Sequence, residues 1–192
     1  MRRLIAGMQS SVDGKIEGPA GFADWVETWS DNYELMPQVD ACLLGASMFV
    51  GYEQYWSAVQ NHPDQPLPMT NRLPTRAELE WARFARETPH YVLSSTLTSA
   101  LWPKVSFIRD TAEVAALKQR PGKDIYLVGG ARILASLIDA GLVDELRLHI
   151  HPLIVGEGKA LFATAKRRRE LELRSVQQLQ GARLSMVYTL RD

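Results

Sequence analysis

The chain has 192 residues, 46% of them hydrophobic and 23% charged, with 22 Lys and Arg set against 22 Asp and Glu. That balance belongs to an ordinary globular chain with one substantial core, so we expect a single domain over residues 1–192; it excludes a disordered chain, and without a basic excess no nucleic-acid partner is expected. The one cysteine, Cys42, excludes an internal disulfide and a multi-cysteine metal centre, and no apolar run approaches the roughly 18 residues of a membrane span. The apolar stretch Leu4 to Met8 stops at Gln9, too short for a leader core, so the expectation is a cytoplasmic protein with no membrane partner.

In chain order, Arg3 to Met8 reads as a first strand. Asp24 to Glu34 reads as a helix, because Trp25 and Trp29 interleave with Glu27 and Asp31 at near-helical spacing and Pro37 marks the end. Val39 to Leu44 is a strand buried on both faces, Ser47 to Trp56 a short helix, and Asn61 to Pro74 a proline-rich loop able to lie over a site. Thr75 and Glu78 form a capping-box pattern opening a helix toward Glu87. His90 to Leu93 and Val105 to Ile108 read as strands, and Ala112 to Lys118 as a helix stopped by Pro121-Gly122. Ile125 to Val128 is the clearest central strand, followed by Gly129-Gly130 and a helix with Ile133, Leu134, Leu137, Ile138 and Leu142 on one face. Glu145 to Val155 alternates as a half-buried strand, and Leu171 to Leu179 and Arg183 to Leu190 form a hairpin around Gln180-Gly181-Ala182. Alternating strands and helices predict an α/β fold, a mixed but mostly parallel sheet flanked by helices and ending in an antiparallel hairpin.

Chemistry concentrates at strand exits. Gly129-Gly130-Ala131, between a buried strand and a helix, lets a phosphate approach backbone N–H groups at the positive end of the helix dipole; the plain alternative is a tight turn. Gly45-Ala46-Ser47 is a second junction of that type, where the Ser47 hydroxyl caps the helix or meets a phosphate, with capping favoured. Two such junctions in one sheet are what the two halves of a dinucleotide need. Asp13-Gly14, after Ser11, makes a turn that leaves a carboxylate at the first strand's exit. Asp31 and Glu34 offer carboxylates able to hold a substrate N–H or relay a proton. His149 and His151 share a strand face; two ligands make no metal site, so no metal is expected, and a surface or subunit-contact role is favoured. The run Lys166 to Arg169 reads as a solvated loop.

Five pieces taken in order, Ser11-Val12-Asp13-Gly14-Lys15-Ile16, Leu43-Leu44-Gly45-Ala46-Ser47-Met48-Phe49, Val92-Leu93-Ser94-Ser95-Thr96-Leu97, Ile125 to Ala131 and His151 to Phe162, resemble the dihydrofolate-reductase-like superfamily. Within it the chain is similar to the C-terminal reductase domain of bifunctional riboflavin-biosynthesis deaminase-reductases, over nearly its whole length. The resemblance implies a three-layer fold, a homodimer, and reduction of a small heterocyclic or pyrimidine-type substrate by NADPH. It implies that Gly129, Gly130, Ala131 and Arg132 hold the cofactor pyrophosphate, and that Gly45, Ala46, Ser47, Ser94, Ser95 and Thr96 hold its adenosine half. Ser11, Asp13 and Gly14 would edge the substrate pocket, Trp25 would line it, and Asp31, with Asp13 second, would deliver the proton. Arginine stands in many members where this chain has Ala46 and Ser95, which weakens the grip on the 2′-phosphate, leaves NADH open, and points to Arg109 or Lys104 as substitutes. A catalytically inactive nucleotide-binding or sensor protein of the same fold is the alternative, and a metal enzyme built on His149 and His151 a more distant one.

Overall fold

The structure is a computed structural model and describes residues 1–26, 32–67 and 70–191. Its centre is an eight-stranded sheet. In chain order the strands are β1 (Leu4–Ser11), β2 (Lys15–Glu17), β3 (Val39–Gly45), β4 (His90–Leu93), β5 (Val105–Ile108), β6 (Asp124–Gly129), β7 (Glu145–His151), β8 (Lys159–Ala160), β9 (Leu171–Gln178) and β10 (Leu184–Leu190). The helices are α1 (Ala46–Asn61), α2 (Arg76–Glu87), α3 (Thr111–Gln119) and α4 (Ala131–Asp139). The large sheet runs β5-β4-β3-β6-β1-β7-β10-β9; β2 and β8 pair separately.

From β5 to β7 the ladder is parallel, and β10 and β9 close it antiparallel. Parallel strands need crossover helices, and these bury both faces of the sheet. Ile133, Leu134 and Leu137 of α4, with Val114 and Leu117 of α3, pack on one face against Leu4, Ala6 and Leu127. Phe49, Tyr52 and Trp56 of α1, with Trp81 of α2, pack on the other against Ile5, Leu44 and Val92. Cys42 is fully buried in that second core. The architecture is the α/β, dihydrofolate-reductase-like one expected, with its antiparallel C-terminal strands.

Several local expectations change. The helix expected over Asp24 to Glu34 does not appear in its described residues: Asp24 and Trp25 lie in a turn, as do Asn32 and Tyr33, and Glu34 has φ 55°. Residues 27–31 lie outside the described ones. The helix after β3 runs to Asn61, five residues past Trp56, because Val59 still finds core to bury in. The strand expected to reach Val155 ends at His151, where Pro152 follows and can donate no ladder hydrogen bond. The described part of the loop from Asn61 to Pro74 is held down by Leu67, 2% exposed, and by Arg72 paired to Glu78 at 2.8 Å. Among the described residues no helix is long and apolar enough to cross a membrane.

Candidate active site and cofactor cleft

All six parallel strands end on one edge, which gathers Ser11, Gly45, Leu93, Ile108, Gly129 and His151 along a line. Neighbouring strands β3 and β6 send their helices to opposite faces, α1 to the Trp56 side and α4 to the Leu134 side. Helices diverging from adjacent strand ends open a crevice where ligands of open α/β sheets lie.

The two helices that flank this crevice start without caps. α4 opens at Gly130 and α1 at Gly45, and neither receives a side-chain cap hydrogen bond. The first backbone bond at the head of α4 runs from Leu134 N to Gly130 O at 3.1 Å, so the N–H groups of Ala131, Arg132 and Ile133 point toward the crevice. By contrast, Thr75 caps α2 and Asp110 caps α3. Ser47 is exposed and does not cap α1, which corrects the capping expectation: the helix begins two residues earlier than the hydroxyl would need.

Why glycine occupies this corner is readable from its surroundings. Gly129 has φ +150°, and a Cβ there would meet Met48 Sδ at 2.5 Å; a Cβ on Gly130 would meet nothing within 4 Å. The Gly129–Gly130 peptide is cis. One glycine is therefore required by packing of the chain itself, whereas beside the other lies open space. Ala131 is buried, while the Arg132 side chain is exposed and, with Thr111 and Ser136, lines a cavity of about 500 Å³ reaching Lys166 and Arg167.

At the exit of β4, Ser94 is buried and its Oγ accepts from the N–H of Thr96 at 3.2 Å and of Leu97 at 2.9 Å. It shapes the turn, and Ser95 and Thr96 are the exposed side chains on it. Arg109, at the end of β5, donates from Nη1 to the carbonyls of Ser94 at 2.6 Å and Leu97 at 3.0 Å, which fixes its guanidinium at that turn. Lys104 stands at the other end of β5 and donates to Glu87 O at 2.7 Å. The strand's length thus separates Lys104 from the carboxyl edge, where Arg109 stands.

At the far end of the edge, Asp13 accepts from Ser11 Oγ at 2.6 Å and from the N–H groups of Val155 at 3.1 Å and Gly156 at 2.8 Å. The Ser11 hydroxyl and those two amides bring its carboxyl down to about 2. It remains ionised at neutral pH and ties the exit of β1 to the chain leaving β7, a disposition suited to holding a loop and unsuited to giving up a proton. Ser11 is fully buried with its hydroxyl spent on that tie, while Asp13 and Gly14 lie nearer the surface at the turn. Asp31, the first choice for proton delivery, lies outside the described residues.

Beyond this tie is a cavity of about 270 Å³ whose walls include Gly18, Phe22, Asp24, Trp25, Leu153 and Val155. Trp25 is one of those walls. Gln9, His149 and His151 share one face of β1 and β7, with the Tyr33 ring packed over Gly7 and His149. His149 and His151 are 3% and 4% exposed, so the surface role expected for them is wrong. The alternation that placed them together on one face was right, but the Tyr33 ring leans against His149, centroids 4.4 Å apart and planes tilted by 43°, and covers it. Among the described residues no three His, Cys, Asp or Glu side chains are placed to hold a metal ion. The run Lys166 to Arg169 clamps the end of α4: the N–H groups of Lys166 and Arg167 donate to the Asp139 carboxylate at 3.0 and 3.1 Å, and Arg169 to its carbonyl at 3.2 Å.

Sequence reasoning did not single out Tyr33 or Phe22, because no pattern at their own positions marks them. Met48, Leu153 and Val155 entered it only inside longer runs, the first in the piece from Leu43 to Phe49 and the other two in the alternating stretch from Glu145.

Comparison with known proteins shows the family and the fold. Residues 2–183 match the RibD C-terminal domain. The chain is 35% identical over 191 residues to the uncharacterized protein YyaP of Bacillus subtilis (strain 168), covering 97% of this chain and 94% of that one. In structure it is similar to the diaminohydroxyphosphoribosylaminopyrimidine deaminase/5-amino-6-(5-phosphoribosylamino)uracil reductase of Thermotoga maritima, with TM-score 0.63, 14% identity, and coverage of 99% of this chain and 57% of that one. It is also similar to the dihydrofolate reductase of Enterococcus faecalis complexed with NADP(H), with TM-score 0.60, 17% identity, and coverage of 99% and 97%.

Proposed function

Because the chain belongs to the RibD C-terminal domain family, we propose that it is a cytoplasmic reductase that uses NADPH to reduce a small nitrogen heterocycle of pyrimidine type. The observation that carries this reading is the pair of uncapped helix starts at Gly45 and Gly130, side by side at the sheet's crevice. Free N–H groups at a helix start bind anions, and two of them a strand apart suit a dinucleotide.

The residues present fit such a cofactor. The N–H groups of Ala131 and Arg132 take the pyrophosphate, the bare Gly130 lets it come close, and Ser47, Ser95 and Thr96 offer hydroxyls to the adenosine half. Arg109 supplies a cation at that turn, in place of the arginines absent at positions 46 and 95, and favours NADPH over NADH. When bound, the reduced nicotinamide supplies a hydride. The chain's own part is to hold the two rings face to face at the exit of β1, to exclude water with Phe22 and Trp25, and to deliver a proton to the reduced substrate. Asp31 is the proposed proton source, since Asp13 is held ionised.

Ala46 and Ser95 motivate a second reading, a nucleotide-binding sensor without turnover. Titrating NADPH and NADH while following the five tryptophans, then assaying NADPH oxidation with 5-amino-6-(5-phosphoribosylamino)uracil, separates the two. Saturable quenching with turnover supports the reductase, quenching without turnover over a panel of heterocycles supports the sensor, and no quenching by either nucleotide removes both.

A further inference from the structure

The outer face of α4 carries Arg132, Ser136, Asp139 and Ala140 at helical spacing, opposite the buried Ile133, Leu134, Leu137 and Ile138. With Thr111, the first residue of α3, and with Thr164, Lys166 and Arg167 of the chain after β8, this face walls the cavity of about 500 Å³. That volume is of the size that small-molecule sites have. The walls include neither Gly45 to Ser47 nor Ser94 to Thr96, so the cavity lies beside the cofactor crevice and shares with it only Arg132, whose N–H faces the crevice.

Its charge is one-sided. Three cations, Arg132, Lys166 and Arg167, stand against one carboxylate, Asp139, in a chain whose 22 basic and 22 acidic residues balance overall. Asp139 is already occupied, since its carboxylate accepts from the N–H of Lys166 at 3.0 Å and of Arg167 at 3.1 Å. Those two bonds fix the backbone of the run and leave its side chains to another use. Among the described residues, Arg132, Lys166 and Arg167 form no ion pair, whereas Arg168, which is not a wall, has Glu170 at 3.9 Å. The hydroxyls of Thr111, Ser136 and Thr164 likewise make no hydrogen bond within the described residues. Like charges gathered around a cavity repel one another, and a bound anion turns that repulsion into attraction.

We propose that this cavity is a second anion site, which takes a phosphate monoester carried on a hydroxyl-bearing body such as a ribose. Arg132 and Arg167 grip the phosphate with paired donors and Lys166 adds a point charge, while the three hydroxyls meet the sugar. Such an ester has two sources, a free sugar phosphate or the 2′-phosphoribose of NADPH reaching out of the crevice. The site stands without the reductase reading, because a free ester needs no cofactor.

Calorimetric titration with ribose 5-phosphate and with ribose tests it, in wild type, in the double variant Lys166→Gln with Arg167→Gln, and in Arg168→Gln. NADPH and NADH are titrated by fluorescence on the same samples. Ribose 5-phosphate is expected to bind saturably and ribose not at all. The double variant should weaken the ester at least tenfold with the melting temperature unchanged, because both backbone bonds to Asp139 survive and no ion pair is lost; Arg168→Gln should change it less than twofold. If the ester competes with NADPH, and the double variant weakens NADPH and spares NADH, the occupant is the cofactor's own phosphate. Ester binding that persists in the NADPH-loaded protein identifies a free sugar phosphate instead. No binding of the ester, binding undiminished in the double variant, or an equal loss in Arg168→Gln would each overturn the inference. NADH affinity, which involves no phosphate monoester, reports on the reductase reading separately.

Discussion

At the exit of β5, Arg109 Nη1 pins the turn carrying Ser95 and Thr96, and the proposed function gives its charge a second duty, meeting an adenosine 2′-phosphate. The duties separate by nucleotide, because NADH shares the turn and lacks the phosphate. Arg109→Ala is therefore expected to weaken NADPH roughly tenfold, about 1.4 kcal/mol, with NADH changed much less, as read by fluorescence titration; equal losses for both would reduce Arg109 to a brace. Asp13 works by hydrogen bonding. Its folded-state value, about 2, lies below the ordinary carboxylate value near 3.8, so its stabilising contribution is fully present above about pH 4 and disappears as pH falls toward 2. Melting curves of wild type and Asp13→Asn should accordingly stand apart at pH 7 and converge as pH falls through that window. A gap that stays constant down to pH 2 would mean that the carboxylate does not hold the loop.

The start of α4 sets two adjacent glycines to different tasks. Gly129→Ala meets both a φ of +150° and Met48 Sδ at 2.5 Å, and is expected to cost about 2 kcal/mol or more of stability in chemical denaturation. Gly130→Ala meets open space; it should fold with nearly wild-type stability and yet weaken NADPH tenfold or more, since the methyl group intrudes where the pyrophosphate approaches. The reverse pattern would place the anion elsewhere. This junction was legible in the sequence, because a buried run, a glycine pair and a periodic helix carry their periods locally. The described residues near Asp24 and Glu34 were not: Trp25 sits in a turn and lines a cavity, and no local period separates that use from a helical one. For the same reason β2 and β8, three and two residues long, escaped notice, and the two strand histidines were given the right face and the wrong exposure. Alternation fixes which side a residue takes; what covers that side, here Tyr33, comes from a distant part of the chain.

At the scale of the whole molecule, helices cover the sheet from β4 to β1, but the outer strands have little over them. Leu171, Leu173 and Val176 of β9 and Leu184 of β10 are 41%, 52%, 57% and 39% exposed. A homodimer through this outer hairpin is expected to cover them, giving a sedimentation mass near twice 21.6 kDa, and Leu173→Glu together with Val176→Glu should shift the protein to monomer. A wild-type monomer at tens of micromolar would count against that assembly while leaving the cleft as described. The cleft itself rests on a simpler feature, the carboxyl edge on which the parallel strands end and two uncapped helices begin. A crystal structure of the protein grown with NADPH tests it most directly. The account predicts pyrophosphate oxygens within about 3 Å of the N–H groups of Ala131 and Arg132, the adenosine beside Ser95 and Arg109, and the nicotinamide at the exit of β1. A cofactor bound away from the start of α4, or none bound at saturating concentration, would contradict it.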